Sequence, residues 1–135
     1  MSEPEKIDSL LSSDDLEVVI SGTELLESLV GTEEQLYHYI PCQQASSFED
    51  IKELFEGEHS AYVALWVMGK LAFFEVEWMC SITELELSKN SLIRLPDSLG
   101  HLTQLVLLDL EENSFSKSEK GRIREQMCHV EDLSV

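Results

Sequence analysis

The chain has 135 residues, and its formal net charge at pH 7 is -18. A field of this sign repels nucleic acid and anionic membranes and favours basic partners. The composition therefore argues against binding to nucleic acid or to an anionic membrane. The hydrophobic content of 43% is that of a globular protein, so we do not expect general disorder. The same acidity would also serve simply to keep a small protein in solution.

The first part of the chain carries recurring helix-capping signals. Each consists of a small polar residue followed three positions later by Glu or Gln, ahead of an apolar set with helical spacing. The pattern predicts one helix from about 15 to 30, a short helix ending near Pro41, and a third from Phe48 to about Gly57. The predicted capping pairs are Asp14 with Glu17, Thr32 with Gln35, and Ser46 with Glu49.

The most apolar stretch is "AYVALWVMGKLAFF", residues 61–74. It is too short to span a bilayer, contains Lys70 and runs into Glu75 and Glu77, so we predict a buried helix over about 59–79. The start of the sequence has no basic region followed by a long apolar run, and it is not expected to be a secretory signal. We expect Trp66 and Trp78, on this helix, to be core residues.

Neither catalysis nor a metal site is expected. The four histidines are scattered, and the sequence has no CxxC, HExxH or Gly-rich phosphate motif. The acid pairs are not framed by a calcium-binding loop. Three widely separated cysteines fit reduced thiols in a cytosol better than a disulfide framework, so we expect a cytoplasmic protein without cofactors. The cysteines are Cys42, Cys80 and Cys128.

Two later segments repeat each other. "ITELELSKNSL" (82–92) and "LVLLDLEENSF" (105–115) share apolar residues at the first, fourth, sixth and eleventh places and asparagine at the ninth. The offset between them is 23 residues. Helical or strand periodicity does not produce that offset, whereas a repeat of about 20–29 residues with the form LxxLxLxxN does.

With the linking segment "IRLPDSLGHLTQL", which follows the pattern LPxxLGxLxxL, this part of the chain resembles the leucine-rich repeat family. The resemblance covers two repeats. It implies an α/β fold: a short leucine-rich-repeat solenoid over residues 81–135, with two full repeats plus a terminal helix and strand. Two repeats are too few to stand alone, so we expect an all-helical cap, residues 1–80, joined to them in one cooperative unit.

The repeat pattern assigns structural roles to six residues. Alternation along a short strand turns the leucines inward, and an asparagine after each strand bonds backbone groups in the turn. We expect the asparagines to stack as a ladder, with Asn90 more sensitive to replacement than Asn113. The six positions are Leu85, Leu87, Asn90, Leu108, Leu110 and Asn113.

The C-terminal segment supplies a helix and a last strand. Ser116 with Glu119 is a capping pair, and Ile123 and Met127 share one helical face. The tail "CHVEDLSV" is then expected to add a strand containing apolar Leu133.

The resemblance to leucine-rich repeats implies that the concave face of the sheet binds a protein partner. The function that follows is a non-catalytic protein–protein interaction module that binds a basic protein, with a monomer expected. A regulator or inhibitor accessory to an enzyme, and a truncated relic of a longer repeat protein, are open alternatives. The outward positions that would form the face are Glu84, Glu86, Ser88, Lys89, Leu107, Asp109, Glu111 and Glu112.

Overall fold

A computed structural model describes residues 3–135, and within them it contains seven α-helices, one 3-10 helix and three parallel β-strands. The fold is therefore mixed helix and strand, compatible with the predicted α/β class. The chain divides into two compact units, residues 1–67 and 68–135. The domain boundary that the sequence places between residues 80 and 81 stays a prediction.

The first unit is helical. The predicted helix near 15–30 is confirmed, the helix after Phe48 is shorter than predicted, and α1 was not predicted at all. Ile7 and Leu11 of α1 are buried, so this helix places two apolar side chains that lie four residues apart in the core. The helices are α1 (Glu3–Leu11), α2 (Leu16–Leu29), α3 (Glu33–Tyr39), α4 (Phe48–Lys52) and the beginning of α5 (Ser60–Phe73).

Three of these helices begin at a side-chain cap. Thr32 caps α3 as predicted, since its hydroxyl accepts a hydrogen bond from the Gln35 N–H at 3.2 Å. The predictions for α2 and α4 are wrong by one residue, because Asp15 and Ser47 are the caps. In both cases the predicted residue, Asp14 or Ser46, precedes one of the same type, so residue chemistry alone does not select between them.

Helix α1 packs closely against α2 at Gly22. A Cβ atom at this position would lie 3.0 Å from Leu11 Cδ2 and 3.1 Å from Leu10 Cβ. The Tyr39 hydroxyl on α3 donates a hydrogen bond to the Glu3 carboxylate at the start of α1. The glycine that weakens helix propensity in α2 is therefore the residue that lets two helices approach.

Helix α5 is buried from Ala61 to Ala72, as expected of the apolar stretch, but it does not reach residue 79. It ends where Glu75 adopts a φ of 60° and the Val76 N–H bonds to Leu71 O at 3.0 Å. A separate helix, α6 (Glu77–Cys80), follows. The single helix predicted over 59–79 is wrong, because a left-handed residue closes α5 without a glycine or proline to mark the end.

In the second unit the strands lie in the order β1–β2–β3, all parallel. Leu85 lies opposite Leu108, and Leu108 lies opposite Leu133. The predicted last strand is confirmed as β3. The strands are β1 (Glu84–Glu86), β2 (Leu107–Asp109) and β3 (Asp132–Ser134), with the 3-10 helix Asp97–His101 between β1 and β2 and α7 (Lys117–Gln126) between β2 and β3.

Helix α7 begins at the predicted cap, where Ser116 Oγ accepts from the Glu119 N–H at 3.1 Å. The Glu119 carboxylate also accepts from the Leu95 N–H at 3.0 Å. Arg122 donates to Glu119 at 2.6 Å and to Asp97 at 2.8 Å. The bonds to Leu95 and Asp97 attach α7 to the start of the 3-10 helix and to the residues just before it.

One close backbone approach joins α5 to the 3-10 helix. A Cβ atom on Gly69 would lie 2.4 Å from the carbonyl carbon and oxygen of Ser98. Only a glycine permits this distance.

No helix within residues 3–135 is long and apolar enough to cross a membrane.

Candidate partner-binding face

Parallel pairing arranges the outward side chains of the three strands in rows. Glu84, Leu107 and Asp132 occupy one row, because Glu84 pairs with Leu107 and Leu107 with Asp132. The second row consists of Glu86, Asp109 and Ser134. We call these six residues the sheet face. Glu84, Glu86 and Asp132 are exposed, and Leu107, Asp109 and Ser134 are half-buried.

The inward side of the same strands is apolar. Leu85 is 7% exposed, and Leu87, Leu108 and Leu110 are exposed by 1% or less. The alternation of these leucines with charged residues turns one side of the sheet toward the core and leaves the carboxylates on the other.

Beyond the strands, the two 23-residue copies share a left-handed residue at one equivalent position. Lys89 and Glu112 occupy equivalent places and have φ values of 59° and 58°. The Lys89 N–H bonds to Glu111 O at 3.3 Å, which extends the pairing past the ends of β1 and β2. A left-handed residue that is not glycine is uncommon. Its recurrence at an offset of 23 residues therefore supports the repeat separately from the leucine pattern.

Asn113 connects the copies through its side chain. Its Nδ2 group donates to Leu110 O in its own copy and to Leu87 O in the other, both at 2.9 Å. Its Oδ1 atom accepts from the Asn90 N–H at 2.9 Å and from the Leu92 N–H at 3.0 Å. One amide thus satisfies backbone groups of both turns.

Asn90 bonds within its own turn, where its Nδ2 group donates to Leu87 O at 2.9 Å and to Ser88 O at 3.1 Å. Leu87 O therefore accepts from both asparagines. The asparagines therefore lie together between the copies, and Asn113 hydrogen-bonds both of them. The expectation that Asn90 is the more sensitive to replacement stays a prediction.

The charges around the sheet face are mostly negative. Glu111 and Glu112 are exposed beside it, and Ser88 is half-buried. Lys89 Nζ lies 3.6 Å from Glu112 Oε2, with both side chains largely exposed, so the pair contributes little to stability. Asp109 Oδ1 accepts from the Glu111 N–H at 3.0 Å, which fixes its carboxylate.

Two residues of the sheet face, Asp132 and Ser134, were missed from sequence. The sequence does contain a signal for this strand, because Val130, Leu133 and Val135 occupy the first, fourth and sixth places of the apolar pattern that the two 23-residue copies share. The strand offset is 23 residues between β1 and β2 but 25 between β2 and β3. A search at constant offset does not find the third copy.

The other residues weighed for chemistry are dispersed. Within residues 3–135 no three His, Cys, Asp or Glu side chains come together as metal ligands. Cys80 and Cys128 are exposed, and Cys42 is buried. Burial raises the pKa of the Cys42 thiol to about 11, so at neutral pH it is protonated and a poor nucleophile.

Comparisons of the chain with protein-family models, with curated proteins and with solved structures find no match.

Proposed function

We propose that the chain is a non-catalytic protein–protein interaction module of the leucine-rich repeat type, a short solenoid whose repeats lie in residues 81–135 with residues 1–80 as a helical cap. Its partner in this proposal is a basic protein, bound at the sheet face. The module acts in the cytoplasm as a monomer and binds neither nucleic acid nor membrane.

The family relationship is supported by agreement between sequence and backbone at one offset. Residues 23 apart pair between β1 and β2, and residues 23 apart share the left-handed conformation at Lys89 and Glu112. Asparagines at the same spacing, Asn90 and Asn113, bond the turns. Each of these observations fits a stacked repeat better than an unrelated α/β arrangement.

The observation that supports binding most directly is the alignment of carboxylates on the sheet face. Glu86 and Asp109 are paired neighbours, and Glu84 and Asp132 flank Leu107. Four acids around one half-buried leucine provide an electrostatic surface with an apolar centre, and a basic partner with a small apolar contact would complement both.

The experiment uses three forms of the full chain as immobilised baits for cytosolic extract: the natural sequence, Glu86→Lys with Asp132→Lys, and Glu24→Lys with Glu125→Lys. Glu24 and Glu125 are exposed positions on α2 and α7, so both double variants change the net charge equally. Asp109 is left unchanged because it accepts the Glu111 hydrogen bond. The stability changes should stay within about 0.5 kcal/mol, since all four positions face solvent.

We expect a saturable basic protein that the natural chain and the helix variant capture and that the sheet-face variant loses. Once purified, that protein should bind less tightly as ionic strength rises, and the dependence should flatten for the sheet-face variant. Equal capture of the same protein by all three baits would place the interaction elsewhere on the chain.

A further inference from the structure

A cleft of about 190 Å³ lies in the second unit, and none of its lining residues belongs to the sheet face. The lining residues with polar side chains are Glu75, Cys80, His101, Thr103 and Gln104. At about 30 Å³ per water molecule, the volume equals about six waters, which is the size of a small organic group.

Local structure places these side chains. Glu75 is the left-handed residue that ends α5, so its side chain follows directly after the helix. His101 ends the 3-10 helix, and the Thr103 N–H bonds to His101 O at 2.9 Å in the turn beyond it. The His101 ring lies against Phe73, with ring centroids 5.1 Å apart. The opening is therefore bounded by a helix end and a hydrogen-bonded turn.

The residues that line the cleft include one acid, Glu75, and two neutral residues whose side chains can accept hydrogen bonds, Thr103 and Gln104. Among the residues that the structure describes, no lysine or arginine lines the cleft. The lysine of α5, Lys70, has its ammonium over the rings of Phe73 and Phe74, at 4.8 and 5.3 Å from their centroids.

We propose that this cleft binds a small cationic group, a guanidinium or alkylammonium, with Glu75 as its counter-ion. A planar cation that donates several hydrogen bonds matches a carboxylate beside neutral acceptors. The group is either a free small molecule or an arginine side chain of a protein. The site does not depend on the sheet face, so each proposal can fail without the other.

Cys80 lies in the lining and serves as the reporter. The full chain is alkylated with iodoacetamide, which is neutral, in the presence or absence of agmatine, and the rates at Cys80 and Cys128 are read by peptide mass spectrometry. Agmatine at millimolar concentration should slow alkylation of Cys80 severalfold and leave exposed Cys128 unchanged. Sodium chloride at matched ionic strength should protect neither thiol.

Glu75→Gln should abolish the protection, whereas Glu77→Gln should retain it. Glu77 is an exposed acid two residues away that does not belong to the cleft lining, so it controls for the loss of one negative charge. Circular dichroism checks that both variants are folded. Because protection is a ratio of rates within one variant, any change in intrinsic thiol reactivity cancels.

A second arm replaces agmatine by acetyl-arginine amide, which presents the guanidinium as a peptide does. Protection by both compounds supports an arginine side chain as the occupant, and protection by agmatine alone supports a free small cation. If neither compound slows the alkylation of Cys80, or if both thiols slow equally, the proposed cation site is wrong.

Discussion

One side chain, Asn113, hydrogen-bonds backbone groups of both copies of the 23-residue pattern, in addition to the strand pairing between them. Replacing it with alanine leaves Leu87 O with one donor fewer and removes the acceptor for the Asn90 and Leu92 N–H groups. We expect Asn113→Ala to lower the free energy of unfolding by on the order of 1–3 kcal/mol. Urea denaturation measures the loss, with Asn90→Ala as the companion variant, and negligible losses at both positions would contradict the asparagine ladder.

Glu119 gives the stability a pH dependence. Partial burial would raise the pKa of its carboxyl group, but hydrogen bonds from Arg122 and from the Leu95 N–H outweigh this and hold the pKa below its usual value. A carboxyl group whose pKa is lower in the folded state stabilises the protein above the unfolded pKa. That stability is lost as the pH falls through the folded pKa.

Glu119→Gln should therefore be less stable than the natural chain by about 1 kcal/mol at pH 7. The difference should shrink below about pH 4, where the carboxylates become protonated. Thermal melts across this range test the effect, with Glu125→Gln as the exposed control on the same helix. A difference that does not depend on pH would mean that the charge of Glu119 is not involved.

At the scale of elements, the helices α5 and α7 each contain a glycine. Replacing one glycine with alanine should lower the stability of the protein, and replacing the other should raise it. Gly69→Ala would put a methyl group 2.4 Å from the Ser98 carbonyl, so α5 and the 3-10 helix must separate. We expect a loss of about 1–3 kcal/mol. Gly121 in α7 has nothing within 4 Å of the added methyl, and Gly121→Ala should stabilise by about 0.4–1 kcal/mol.

Chemical denaturation measures the free energy of unfolding of both glycine variants. The two values can be compared directly, because each variant replaces a glycine with an alanine inside a helix. If Gly69→Ala is as stable as Gly121→Ala, the close approach of α5 to the 3-10 helix is not a constraint in solution.

The elements differ in how far sequence predicted them, and the differences have physical causes. Helix α2 was predicted from its apolar spacing, although its cap lies one residue later than predicted, and the cap of α7 was predicted from the spacing of Ser116 and Glu119. The end of α5 was not predicted, since the left-handed residue that closes the helix is Glu75, and glutamate does not favour this conformation as glycine does. The sheet face was predicted for β1 and β2, whereas Asp132 and Ser134 were hidden by the two extra residues between β2 and β3.

At the scale of the whole molecule, we predict that fragment 81–135 does not fold. The cut removes residues 68–80, which belong to the same compact unit and include buried Met68, Leu71 and Met79. What remains is close to the smallest size that folds without disulfides or metal. Circular dichroism and gel filtration of the fragment should find an unfolded or aggregated chain.

The full chain should melt in one cooperative transition, because α5 runs unbroken through the division between the two units at residues 67 and 68. Calorimetry measures this directly. A soluble, monomeric fragment 81–135 with its own cooperative melt, or two separated transitions in the full chain, would show that the repeats fold independently of residues 1–80.

The shared conformation at Lys89 and Glu112 has a consequence for how such a chain can change in length. Since β1 pairs with β2 at an offset of 23 residues and the left-handed residue recurs at that offset, a tandem duplication of residues 84–106 would give the new strand a partner in the same register on each side. The asparagine of the added copy would accept from an N–H group of the turn before it and donate to a carbonyl of the same turn, as Asn113 does. In-frame gene duplication at this offset is therefore a mutation that the fold can absorb, and it would widen the acidic surface by one strand each time.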